Sequence, residues 1–115
     1  MSPGSRSRGA ARRQTHAPIF AALGDETRLS LIARLSSGRP YSISQLTRGA
    51  KLTRQAITKH LRVLQSVGMV HGKRRGRESL FRLNPQPIVE IKQYLDLVSA
   101  QWDEALSRLK AFVEE

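Results

Sequence analysis

No cysteine occurs among the 115 residues, which removes disulfide scaffolds, zinc knuckles, thiolate metal sites and thiol redox sensing together. That composition fits a reducing compartment, and a cytoplasmic location is expected. No apolar run approaches the roughly eighteen residues that a membrane span requires, so no membrane partner is expected. Residues 1–16 also lack the apolar stretch of a secretory leader. The most informative absence is negative charge. Residues 27–77 hold 12 Lys+Arg and no Asp or Glu, whereas residues 78–115 hold 4 basic and 7 acidic side chains. The whole chain has 20 Lys+Arg against 9 Asp+Glu, a formal charge of +11. A charge run can be a merely solvated surface, but solubility is better served by interspersed signs. An acid-free middle points instead to a polyanion-binding face, and the acidic C-terminal part to a separate second role.

What is present suffices for one domain with one modest core: 39% of the residues are hydrophobic. Residues 1–16, rich in Ser, Gly and Arg, read as a disordered basic arm in which Arg6, Arg8, Arg12 and Arg13 add non-specific positive charge. Pro18 can open a first helix with Ile19, Phe20 and Leu23 on its apolar side, ended by Gly24. Asp25 caps a second helix whose stripe is Leu29, Ile32 and Leu35. Ser42 followed by Gln45 makes a capping box for a short third helix. Thr53 caps a fourth, running to about Ser66, with Ile57, Leu61 and Leu64 toward the core. Two strands, about 69–74 and 78–83, flank a turn at Arg75-Gly76, and Pro85 and Pro87 precede one long helix over about 88–112.

The expected fold is therefore mainly α with a small β-hairpin, in the order α-α-α-α-β-β-α: a winged helix-turn-helix over residues 17–83, followed by a C-terminal dimerisation helix over 84–115. The segments ALGDETRLSLIARL, LTRQAITKHLRVLQSVGMV and RRGRESLFRL resemble the bacterial arsenical-resistance-repressor (ArsR) family of dimeric transcription regulators, across about residues 17–112. The resemblance implies the fold, a homodimer and double-stranded DNA as partner, with repression by promoter occlusion as the usual mode.

Within the fourth helix, Arg54 and Gln55 stand at the end expected to enter the major groove. Arg can bridge guanine O6 and N7, and Gln adenine N6 and N7. Thr53, Thr58, Lys59 and Arg62 suit phosphate contacts. His60 belongs to the same helix but sits at the edge of its apolar stripe, where a packed histidine is favoured over a DNA contact. The hairpin's Lys73, Arg74, Arg75 and Arg77 form a basic wing suited to phosphates or a narrow minor groove. In the last helix, Ile88, Ile91, Leu95, Val98, Trp102, Ala105, Leu109 and Phe112 alternate in steps of three and four, the seam of a coiled coil. Its length of roughly 37 Å exceeds what so small a domain can cover, so a second subunit is expected on it, joined by Ile19, Phe20 and Leu23 of the first helix.

Neither metal, cofactor nor catalysis is expected. The family's thiolate ligands would fall at Ser42 and Ser44, hydroxyls that bind soft metals poorly. Its other site needs histidine on the last helix, which has none; His16, His60 and His71 are placed on arm, recognition helix and wing without ligand spacing. No nucleophile–base constellation or glycine-rich phosphate loop is present. No residue pattern assigns a small-molecule inducer. The rival reading is a sequence-independent basic protein, either an architectural DNA-binding factor or an RNA-binding module.

Overall fold

Side-chain caps mark where most of the helices begin, and apolar spacing decides which side each buries. The computed structural model describes residues 16–115; the expected basic arm falls outside them except for its last residue. Helix α1 (16–23) is already helical at His16, so the arm boundary moves and Pro18 lies within the helix instead of opening it. His16 is buried with its ring 5.3 Å from that of Tyr94. Helix α2 (Glu26–Leu35) is capped by Asp25, which accepts from the Arg28 backbone N–H at 3.0 Å. Its buried side is Leu31, Ile32 and Leu35, whereas Leu29 is 52% exposed. The stripe is thus rotated from the expected one, and half-buried Arg28 takes the position one turn before Leu31 and Ile32.

Strand β1 (Tyr41–Ser42) leads into helix α3 (Ile43–Thr47), whose capping box forms in both directions: Gln45 N–H to Ser42 Oγ at 3.1 Å, and Ser42 N–H to Gln45 Oε1 at 2.8 Å. Helix α4 (Arg54–Ser66) follows, capped by Thr53, whose Oγ1 accepts from Ala56 N–H. Strands β2 (Val70–Arg75) and β3 (Glu78–Leu83) pair antiparallel with Arg75 opposite Glu78. The turn residues are therefore Gly76 and Arg77, one place later than expected. Gly76 has φ +63°, the positive angle a two-residue turn with glycine first requires. The sheet has three strands in the order β1-β3-β2, not two. β1 is two residues long and carries no alternation for a sequence pattern to show; it forms because β3 offers its open edge to Tyr41 and Ser42.

Helix α5 (Gln86–Glu114) starts two residues before the expected point, because Pro87 fits a first turn whose N–H groups have no helical partner. Leu35, Leu46, Ile57, Leu61, Leu64, Met69 and Val70 are fully buried at the centre. Helix α5 adds Pro87 and Ile91 to the buried set, and α1 adds Ile19 and Ala22.

One glycine is demanded by packing. A Cβ on Gly72 would come within 2.7 Å of Gln65 Nε2 and 3.0 Å of the Phe81 ring, and Phe81 is buried opposite it. Gln65 can swing away; the ring is held by the core. Gly72→Ala should lower stability by about 1–3 kcal/mol, the cost of overpacking, measured by urea denaturation. Unchanged stability would show that the hairpin slides freely over α4.

Candidate nucleic-acid interface

The buried stripe of α4 sets the direction of every other side chain on it. At roughly 100° per residue, Ile57, Leu61 and Leu64 share one side, and all three are at most 1% exposed. Gln55, Lys59 and Arg62 fall opposite, and all three are exposed. Arg54 lies on one flank. Its Nη1 donates to Ser44 Oγ at 2.6 Å, so the guanidinium is seated against α3. The two threonines grouped with the phosphate contacts have internal partners: Thr53 Oγ1 caps the helix, and Thr58 Oγ1 donates to the Arg54 carbonyl at 2.7 Å. His60 lies on the opposite flank from Arg54. It is turned to the start of α2, with Nδ1 3.3 Å from Arg28 Nη1 and 3.8 Å from Asp25 Oδ2. It is therefore not brought onto the outward face that Gln55, Lys59 and Arg62 share.

The four wing residues do not share one face, because alternate residues of a strand point to opposite sides. Gly72–Phe81 and Arg74–Ser79 pairs face the body, as buried Phe81 shows. His71–Arg82, Lys73–Leu80 and Arg75–Glu78 pairs face outward. Together with Pro40, the outer set lines a shallow groove of about 480 Å³, with Lys73, Arg75, His71 and Arg82 around Leu80. Arg77, at the turn, instead lines a notch of about 120 Å³ with Arg54, Ser44, Ser79 and Glu78, between α3, the start of α4 and the wing. His71 and Arg82 were missed by sequence reasoning as members of the basic face; their period-two relation to Lys73 and across the turn was the available signal.

Electrostatic partners are few. Among the described residues, the ion pairs are His60–Asp25 and two exposed pairs on α5, Arg108–Glu104 at 3.2 Å and Lys110–Glu114 at 3.9 Å. Among the described residues, the Lys and Arg side chains of α4 and the wing form no ion pair with a carboxylate. The Arg28 backbone N–H chiefly holds the Asp25 carboxyl below the usual range; burial opposes it, and His60 when protonated, the Arg28 side chain and the Thr27 backbone N–H lower it further. Among the described residues, no group of three or more metal-ligating side chains occurs, and no helix is long and apolar enough to cross a membrane.

On α5 and α1 the expected dimer residues divide. Ile19 (5% exposed) and Ile91 (6%) belong to the chain's own core and are corrected accordingly. Phe20, Leu23 and Ile88 are half-buried against that core, with Phe20 also 6.1 Å from the Tyr94 ring. Val98 and Ala105 are half-buried. Leu95, Trp102, Leu109 and Phe112 are exposed, the last two at 56% and 73%. Leu106 and Val113, outside the strict seam, are exposed beside them and widen the stripe.

Comparison with known proteins agrees with this architecture. A family model described as a helix-turn-helix domain matches residues 23–73. The chain is 38% identical over 76 residues to the helix-turn-helix-type transcriptional regulator YuzN of Bacillus subtilis, covering 61% of this chain and 83% of that protein. It is 30% identical over 88 residues to the regulator Rv2034 of Mycobacterium tuberculosis, covering 76% of this chain and 78% of that one. Among solved structures, an ArsR-like transcriptional regulator from Rhodococcus sp. RHA1 superposes with a TM-score of 0.80 at 33% identity, covering 91% of this chain and 95% of the other. On these sequence matches and this superposition, the chain belongs to the ArsR family of winged helix-turn-helix transcriptional regulators, which are not enzymes.

Proposed function

We propose that this protein is a cytoplasmic, homodimeric repressor that binds a two-fold-related DNA operator without metal. The observation that carries the reading is the exposed row Gln55, Lys59 and Arg62 on the side of α4 opposite its buried stripe, in a segment with no acidic residue. In this reading Gln55 meets base edges, and Arg54 reaches them from its seat on Ser44. Lys59 and Arg62 contact phosphates, as does the wing, with Arg74 and Arg77 on the α4 side and Lys73 and Arg75 outside. Occupying a promoter in this way excludes polymerase.

The dimer is carried by α5. Leu95, Trp102, Leu106, Leu109, Phe112 and Val113 leave an apolar stripe in water, and a contiguous exposed patch of that kind marks an interaction surface. A second copy supplies the same stripe, with half-buried Phe20, Leu23 and Ile88 at its inner end.

Three outcomes test this reading. Arg62→Ala should weaken binding to the operator and to random duplex about equally, lowering the salt slope by about 0.9 per lost phosphate contact, one in each half-site. Gln55→Ala should cost roughly 1–3 kcal/mol per half-site on the operator with little change on random duplex. If Gln55→Ala and Arg54→Ala both leave the operator-to-random ratio intact, a sequence-independent basic protein is the better account. Light scattering should give a dimer at micromolar concentration, and Leu95→Glu or Trp102→Glu should give monomer or insoluble protein, since either buries an unpaired charge; a wild-type monomer would remove α5 as the interface. Zinc, cadmium or arsenite should leave operator affinity unchanged, because Ser42 and Ser44 offer hydroxyls and Ser42 is engaged in capping α3. A several-fold loss of affinity reversed by chelator would overturn metal independence.

A further inference from the structure

Arg28 joins three helices. Its Nε donates to the Ala22 carbonyl and its Nη2 to the Ala21 carbonyl at 3.4 Å, both in α1. Its Nη1 reaches His60 Nδ1 on α4 at 3.3 Å, while its own backbone N–H donates to the Asp25 cap of α2. Arginine carries donors only. The 3.3 Å contact is therefore a hydrogen bond only when His60 Nδ1 presents a lone pair, in the neutral ring with its proton on Nε2. In that state the Asp25 carboxylate, 3.8 Å from the same nitrogen, has no hydrogen to accept from the ring and keeps only the Arg28 backbone N–H. Protonation of the ring reverses both relations. Nδ1 becomes a donor facing a guanidinium, and Asp25 becomes its partner.

We infer that Arg28 and His60 are positioning residues that hold α4 at a fixed angle to α1 while His60 is neutral, and that His60 thereby makes sequence-selective DNA binding pH-sensitive. The inference rests on the DNA reading of α4. Among the described residues, the charged groups within hydrogen-bond or ion-pair reach of the ring are Asp25 and Arg28, both from the start of α2; α1 contributes the Ala21 and Ala22 carbonyls that Arg28 binds. When the ring gains its proton, the strap from α1 to α4 is released at its α4 end. The oxygen that caps α2 is drawn toward α4 at the same time. Base contacts need donor and acceptor placed within a few tenths of an ångström, whereas phosphate contacts tolerate a shifted helix. Selectivity therefore falls on acidification, while binding to any duplex does not.

The test uses the full chain and two duplexes, one enriched from a randomised library at neutral pH and its scrambled counterpart. The ratio of their affinities is measured at one salt concentration between about pH 5.5 and about pH 8. The wild-type ratio should fall several-fold on acidification. His60→Gln, whose amide oxygen still accepts from Arg28 without titrating, should make the ratio independent of pH. His71 lies on the wing, away from the Arg28–His60 strap, so His71→Gln should leave the fall in place. A flat wild-type ratio, a fall that persists in His60→Gln, or a fall abolished by His71→Gln would overturn the inference. Nitrogen NMR of the unaltered protein gives a check free of any folding defect: at neutral pH the His60 proton should reside on Nε2, and its residence on Nδ1 would refute the strap. If the library yields no preferred duplex at neutral pH, the DNA reading itself fails, and the inference with it.

Discussion

The rotation of α4 about its own axis is fixed by Ile57, Leu61 and Leu64, and the functional surface depends on that one constraint. These three side chains are at most 1% exposed, so turning the helix would lift apolar surface into water at about 25 cal/mol per Å². With the stripe pinned, Gln55, Lys59 and Arg62 have only the solvent side available. Arg54 and His60 are sent to the two flanks, where one meets Ser44 of α3 and the other the Asp25–Arg28 corner of α2. The same packing thus presents a basic face and ties its helix to the rest of the molecule from both sides.

Charge and apolar surface are separated along the chain, and the fold keeps them apart in space. The acid-free segment supplies α4 and β2, whose cations find no carboxylate partner among the described residues. The net acidic segment supplies α5, whose first turns enter the core through Pro87 and Ile91 and whose remainder stays uncovered. At 29 residues, about 43 Å, α5 outruns the small body against which it starts. Leu95, Leu97, Leu106, Leu109, Trp102 and Phe112 remain exposed along it.

Much of the fold was legible because its signals are local. The Asp25, Ser42 and Thr53 caps, the glycine at the hairpin turn and the 57–61–64 stripe each act within a turn or two of the chain. The failures share the opposite character. Strand β1 has two residues, too few for any periodicity, and exists only through pairing with β3, some forty positions later in the chain. Leu29 and Leu31 are both leucines near the same stripe; which one is buried depends on what the rest of the chain packs against α2. The helical start of α1 depends in the same way on Tyr94, far along the chain.

The amino-acid order alone determined the helices and the hairpin in their order, and the basic and acidic halves. These follow from propensity, capping and charge, which act without long-range contacts; the family followed from the resemblance of whole segments. Tertiary structure decided how individual side chains are used. Only packing shows that Ile19 and Ile91 serve the protomer's own core, that the wing's cations divide between two faces, and that His60 turns inward to Arg28. The physical reason is common to all three: a side chain's partner is set by elements distant in sequence, and burial and hydrogen-bond geometry exist only once those elements meet.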